Sequence, residues 1–345
     1  MAGGGGHSSA MSQTITRRHL IAAALAAPFL AGRAAFALPS RALEEAGSHG
    51  QLRAIAIWSG GAEVAARGYG EFDPEAPVNI KSASKSVLSA LAGIAIEKGV
   101  IESADQKIAT LLEDRFPAKP DPRLYEITLG HLLSMKSGLT PQSGKNYAAW
   151  VSSPDWVRAA LAAPFIARPG ARMAYSTAST HLASAMLTAA SGRPMMQLAR
   201  DWLGGVPGFR ITSWARDPQG IYIGGNEMAM STRSLMAFGA IYAAQGYAGG
   251  RQVLPLDWIK QSWVRRGTSP MTHKGYGYGW FLDEFAGRPV NFGWGYGGQM
   301  IYVAPATPDH APVALAMTSD PSLPSGPNGY RDQLHEIATR LLEML

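Results

Sequence analysis

Ala54, Ile55, Ala56, Ile57 and Trp58 form an apolar run, Ser59-Gly60-Gly61 supplies turn chemistry, and 62–69 returns, so residues 51–70 are predicted to form a β-hairpin. A second strand pair is predicted near the other end. There Gln299-Met300-Ile301-Tyr302-Val303 and Val313-Ala314-Leu315-Ala316-Met317 flank a loop rich in proline and aspartate. From Tyr330 onward Leu334, Ile337, Leu341 and Leu342 recur at the spacing of an amphipathic helix. Between the two ends the pattern turns helical, with segments at 84–98, 129–134, 154–162, 180–190, 195–203 and 231–245 separated by proline and glycine. Strands at both ends and helices between predict an α+β fold. One sheet is assembled from about 45–80 and 250–345 and covered by helices, and a mostly helical region at about 81–249 is inserted into it.

Composition narrows this picture only in part. The chain has 345 residues, 46% hydrophobic and 16% charged, enough to bury a large core, with 39 glycines and 23 prolines spread through turns and loops. The absence of cysteine removes disulfides, thiolate metal sites and a cysteine nucleophile. Thr16-Arg17-Arg18-His19-Leu20 precedes the apolar run 21–32, and Ala35-Phe36-Ala37 follows as a small-x-small cleavage site. This is the order of a secretory signal with a twin-arginine character, so residues 1–37 are expected to be removed and 38–345 to act in the periplasm. A mobile N-terminal helix or a short anchor is the competing reading. Met11 is an alternative start, because residues 1–10 are rich in glycine. Removing Arg17, Arg18 and Arg33 lowers the formal charge from +6 to +3, and no basic stripe remains, so no nucleic-acid partner is expected. No stable membrane anchor is expected after cleavage.

Candidate chemistry begins at Ser82-Ala83-Ser84-Lys85, a Ser-x-x-Lys. Val87, Leu88, Leu91, Ile94 and Ala95 follow as an apolar helical face, which puts Ser82 at the start of a buried helix. Three residues make nearly one turn, so Lys85 can reach the Ser82 hydroxyl. A helix N-terminus and low-dielectric surroundings would both disfavour its ammonium form. The same pattern also describes an N-capping serine followed by a solvated lysine. Tyr175, in a loop before a helix, is either a core aromatic or, beside Ser82, a phenol that moves protons. Gly293-Trp294-Gly295-Tyr296-Gly297-Gly298 matches a dinucleotide fingerprint in letters, but a strand follows where that motif needs a helix. Glycines before an edge strand would instead let a substrate approach the backbone, with N–H groups free for an oxyanion. No Gly-x-Ser-x-Gly and no His-Glu-x-x-His occurs, and the histidines are scattered.

Taken in order, Ser82-x-x-Lys85, the Leu129 to Leu139 segment with its Gly130-His131-Leu132-Leu133-Ser134, Pro169-Gly170, Tyr175-Ser176-Thr177 and Gly295-Tyr296-Gly297-Gly298-Gln299 resemble the β-lactamase-related serine hydrolases. The resemblance covers about 45–345. It is nearest to family VIII carboxylesterases and 6-aminohexanoate-dimer hydrolases, with class C β-lactamases and D-alanyl-D-alanine carboxypeptidases in the same group. It implies a β-lactamase/transpeptidase-like fold, no cofactor or metal, and a small ester or amide as substrate. It further implies an acyl-enzyme on Ser82, proton relay by Lys85 and Tyr175, and an oxyanion held by the backbone N–H groups of Ser82 and Tyr296. Thr177, Asn226, Trp294 and Gly295 are implied as substrate-binding. Two positions depart from the pattern. Thr177 stands where Tyr-x-Asn has asparagine, and Gly293-Trp294-Gly295 stands where β-lactamases carry Lys-Thr-Gly, removing a cation and a hydroxyl that would hold a carboxylate. A non-catalytic protein that binds through the same fold is the alternative of another class.

Overall fold

Small and large apolar residues alternate along the strands because both faces of the sheet are covered. A computed structural model describes residues 1–5, 40–326 and 329–345. Apart from residues 1–5, the export segment expected over 1–37 lies outside the described residues. The main sheet pairs β1 (Leu52–Ser59), β2 (Ala62–Gly68), β8 (Gly267–Thr268), β9 (Gly275–Tyr276), β10 (Phe281–Phe285), β11 (Arg288–Gly295), β12 (Gln299–Ala304) and β13 (Val313–Ser319) in the order β2-β1-β13-β12-β11-β10-β9-β8. Every pairing in it is antiparallel. Ile55, Ile57, Met300, Tyr302, Leu315 and Met317 face one core, shared with Leu334, Ile337 and Leu341 of α11 (Tyr330–Leu342) and Leu43 of α1 (Ser40–Ala46). Ala56, Ile301, Val303, Ala314 and Ala316 face the other. A period of two therefore serves two cores at once.

The second core joins the sheet to the helical region, whose elements are α2 (Ser84–Glu97), α3 (Ala109–Leu112), α4 (Leu129–Leu133), α5 (Tyr147–Val151), α6 (Trp156–Leu161), α7 (Thr177–Ser191), α8 (Met195–Leu203), α9 (Thr232–Ala243) and α10 (Leu256–Ser262). Here α2 departs from the amphipathic expectation, since every residue from Ser84 to Ala95 is buried. Its other face is made of small residues that admit close neighbours. A Cβ at Gly93 would lie 2.1 Å from the Trp258 ring, and the Ser86 hydroxyl donates to the Gly279 carbonyl at 2.7 Å.

Two strand features were not foreseen. First, β11 and β12 are interior, because β10, β9 and β8 extend the sheet beyond them, so the expected edge strand is not an edge. Second, short strands accompany the helical region: a hairpin of β6 (Tyr247–Ala248) with β7 (Arg251–Gln252), and a small sheet β3-β5-β4 (Val78–Asn79, Met228–Met230, Ser213–Trp214). Strands this short carry no legible period. This small sheet ties the segment before Ser82 to the segment holding Asn226. Among the described residues no helix is long and apolar enough to cross a membrane.

Candidate active site

Ser82 sits in a single 3-10 turn, Lys81–Ala83, that runs directly into α2. It is not the cap of that helix, whose N-cap is Ala83 and carries no side-chain bond. Lys81 before it has φ +50° and Glu227 across the cavity has φ +53°. Such left-handed backbone in non-glycine residues costs about 1–3 kcal/mol and persists only where neighbours enforce it. Asn79 is the brace for both: its side-chain oxygen accepts from the Lys81 N–H at 2.9 Å, and its amide donates to the Glu227 carboxylate at 2.6 Å. Lys81 Nζ lies 3.4 Å from the same carboxylate.

One turn on, Lys85 is buried with Nζ 2.9 Å from Ser82 Oγ, 2.6 Å from the Gly225 carbonyl and 3.4 Å from Thr177 Oγ1. Burial lowers its ammonium from 10.5 to about 7. Gly225 leaves room for it, since a Cβ there would fall 2.8 Å from Nζ. Burial pushes the Tyr175 hydroxyl up to about 12, against the lowering influence of Ser82 beside it, so the phenol keeps its proton across the neutral range. The Tyr175 ring stacks on Phe281, and Lys85 Nζ lies 5.1 Å from its centroid. Thr177 opens α7 three residues earlier than its periodicity indicates, and its hydroxyl is 3.1 Å from Ser143 Oγ.

The fourth wall is the end of β11. A Cβ at Gly293 would lie 2.8 Å from Ser86 Oγ, and one at Gly295 would lie 2.2 Å from the Ile80 carbonyl. These two glycines therefore admit the protein's own atoms, the Ser86 side chain at Gly293 and the Ile80 carbonyl at Gly295, which corrects the expectation that the room was left for a substrate. Gly297 and Gly298, with φ +83° and +88°, make the turn into β12. Neither the Ser82 nor the Tyr296 backbone N–H has an acceptor among the described residues. Trp294 donates from Nε1 to Ser325 Oγ at 3.1 Å and carries the Arg331 guanidinium 5.2 Å from its ring. Asn226 donates to the Tyr147 hydroxyl at 2.8 Å, while its Oδ1 is buried without a partner. A cavity of about 510 Å³ collects these groups: Ser82, Tyr175, Thr177, Asn226, Trp294 and Tyr296, together with Lys81, Ser143, Gly144, Tyr147, Glu227 and Met271. Lys85 lies behind Ser82, and Gly295 packs against the Ile80 carbonyl; neither is among the residues lining the cavity.

Residues 41–338 match the family described as Beta-lactamase. The chain belongs to the beta-lactamase family. Its fold is the β-lactamase/transpeptidase-like one, an antiparallel sheet with flanking helices, in a superfamily of serine hydrolases. Among solved structures this beta-lactamase family member is similar to a 6-aminohexanoate-dimer hydrolase homologue from Bacillus anthracis, with TM-score 0.69, 17% identity, and coverage of 87% of this chain and 80% of that one. It is similar to EstCE1, a hydrolase with promiscuous acyltransferase activity, with TM-score 0.68, 16% identity, and coverage of 89% and 100%. It is also similar to the D-amino acid amidase from Ochrobactrum anthropi SV3, with TM-score 0.66, 14% identity, and coverage of 88% and 99%. At these identities the likeness carries the fold alone. No curated protein matches the chain.

Several residues of the family member's site had no signal in the sequence. Gly225, Glu227 and Ser143 match no motif, and each meets the Ser82 region from a segment far along the chain. Lys81 could have been found, since it adjoins Ser82. The scattered histidines conceal one pairing: His181 Nε2 lies 2.9 Å from Asp217, both fully buried, with Trp150 and Trp156 against the imidazole. This pair holds the 215–225 segment against α7, where Gly224 also packs on Thr180 and His181. It thereby helps place the Gly225 carbonyl on Lys85.

Proposed function

We propose that this protein is a serine hydrolase that cleaves esters or linear amides of small molecules through an acyl-Ser82 intermediate. The observation that carries the reading is Lys85 Nζ at 2.9 Å from Ser82 Oγ, with its ammonium lowered to about 7, at the base of an open cavity. Neutral Lys85 takes the Ser82 proton as Oγ attacks the scissile carbonyl carbon. The oxyanion meets the free N–H groups of Ser82 and Tyr296. As the carbon–heteroatom bond breaks, Tyr175 gives its proton to the departing oxygen or nitrogen and recovers one from Lys85. Water then repeats the sequence on the acyl-enzyme and frees Ser82. A protein that only binds would have no use for this combination, and a fluorophosphonate that labels wild type but not a Ser82 variant separates the two classes.

Uncharged substrates fit the walls better than β-lactams. Gly293-Trp294-Gly295 offers no cation, and Lys81, the cation that does line the cavity, is compensated by Glu227. The esterase and amidase names among the structural neighbours agree with this reading. Losing a charge-assisted bond to a carboxylate costs about 1.5–3 kcal/mol, roughly ten- to a hundredfold or more in kcat/KM. Short-chain p-nitrophenyl esters are therefore expected to be turned over faster than a chromogenic cephalosporin on one preparation, with a linear aminohexanoate amide as the third arm. A cephalosporin that proves fastest overturns the substrate reading and makes Lys81 or Arg331 the carboxylate's partner. Residues 1–37 are proposed as the export signal, and periplasmic protein whose mass begins near Leu38 is the expected result.

The pH profile follows from the sign of the Lys85 shift. Its protonated form is inactive, so kcat/KM is expected to rise tenfold per unit below about 7 and to level off above it, with no loss from Tyr175 until about 12. A profile that falls on raising pH through 7 would remove Lys85 as the base. The same shift costs the folded state stability at neutral pH, and that cost is relieved as pH rises from about 7 to 10.5, the range where the unfolded chain holds the extra proton.

A further inference from the structure

Ser143 stands in the cavity wall on a loop pinned to the start of α7. Ser176 Oγ accepts the Gln142 N–H at 3.0 Å and Ser143 Oγ accepts the Thr177 N–H at 2.8 Å. Its second neighbour is Thr177 Oγ1 at 3.1 Å, where either hydroxyl could donate. The surroundings of Thr177 decide the direction. Thr177 is buried, and its hydroxyl oxygen meets only Lys85 Nζ at 3.4 Å and Ser143 among the described residues. Whether it is the ammonium or the neutral amine with its lone pair on Ser82, Lys85 has an N–H to give to Thr177. If Ser143 also donated to Thr177, the Thr177 proton would have no acceptor among the described residues, at a residue only 5% exposed, which costs more than a made hydrogen bond returns. Thr177 therefore donates to Ser143. Both lone pairs of Ser143 Oγ are then occupied, by the Thr177 N–H and the Thr177 O–H. What remains is its own proton, free at the cavity surface.

Resting on the acyl-serine reading above, we infer that Ser143 is a substrate-binding hydrogen-bond donor, selecting esters or amides that carry a second acceptor, such as an amide carbonyl, beyond the scissile one. The direction of the chain Lys85 to Thr177 to Ser143 makes it a donor only, so an acceptor on the substrate is favoured over a donor or an alkyl group.

The test compares two matched pairs of esters on wild type and Ser143→Ala. p-Nitrophenyl N-acetylglycinate is set against p-nitrophenyl pentanoate, which has the same chain length without the amide. p-Acetamidophenyl butyrate is set against p-propylphenyl butyrate, which moves the acceptor to the alcohol half. The ratio of kcat/KM within a pair does not depend on how much of the variant folds or on general damage to the Lys85 network. A fall in that ratio of about tenfold in one pair is expected, carried by KM more than kcat. Ratios unchanged in both pairs, whether all rates fall together or none do, overturn the assignment and leave Ser143 as a brace for Thr177. Should Ser143→Ala not fold, Ser143→Cys keeps the shape with a weaker donor and reads the same ratios. If wild type hydrolyses none of the four esters, or Ser82→Ala hydrolyses them as well as wild type, the acyl-serine reading itself fails and this assignment with it.

Discussion

Ser82→Ala is expected to fold as the parent does and to lose p-nitrophenyl butyrate turnover by about ten-thousandfold or more. The fold should survive because Ser82 is only partly buried, caps no helix, and its hydroxyl meets Lys85 alone at hydrogen-bond distance among the described residues, with Tyr175 beside it. Lys85 keeps the Gly225 carbonyl and Thr177 as partners, so no buried amine is stranded. Activity must vanish because, among the described residues, the one other hydroxyl at hydrogen-bond distance from Lys85 is Thr177 Oγ1, which lies at the longer 3.4 Å and is engaged with Ser143. The readouts are kcat, fluorophosphonate labelling and the thermal midpoint. A variant with an unchanged midpoint that keeps more than about a hundredth of the rate would falsify the nucleophile assignment.

Tyr175→Phe is expected to lower kcat by about a hundred- to ten-thousandfold while KM moves little. The ring's contacts are all retained in phenylalanine: the stack on Phe281, the edge of Tyr276 and the approach of Lys85 Nζ to its face. Only the hydroxyl on Ser82 is lost. Because that hydroxyl is pushed up to about 12, it acts as a proton carrier and not as a standing base, so its removal should slow leaving-group departure most. The loss should then be larger for an alkyl ester than for a p-nitrophenyl ester, whose leaving group needs little protonation. Equal kcat for wild type and variant on both esters removes Tyr175 from the chemistry.

Local chemistry made some of this protein legible in one dimension. The hairpin at Gly60-Gly61, the β12 and β13 runs and the period of α11 are set by nearest neighbours and by alternation of polarity, so they could be read directly. Ser82 and Lys85 could be paired for the same reason, since one helical turn is a local distance. Tyr175 could be raised as a candidate but paired with Ser82 only through the family resemblance, because nothing in its own loop says that the phenol reaches a serine 93 residues before it.

What only the tertiary structure decided arises from contacts between distant segments. The amine of Lys85 is lowered by burial, and groups from distant segments, the Gly225 carbonyl and Thr177 of α7, lie against its Nζ. The interior position of β11 depends on β8 to β10, whose short strands have no readable period. The glycines of 293–295 read as substrate room until the Ile80 carbonyl and Ser86 are seen against them. The strained Lys81 and Glu227 meet through Asn79, and the Ser143 proton is directed by Thr177. Propensity and polarity act along the chain and can be read from it. Desolvation, close approach and the direction of a hydrogen bond depend on what lies across space, and only the folded arrangement supplies that.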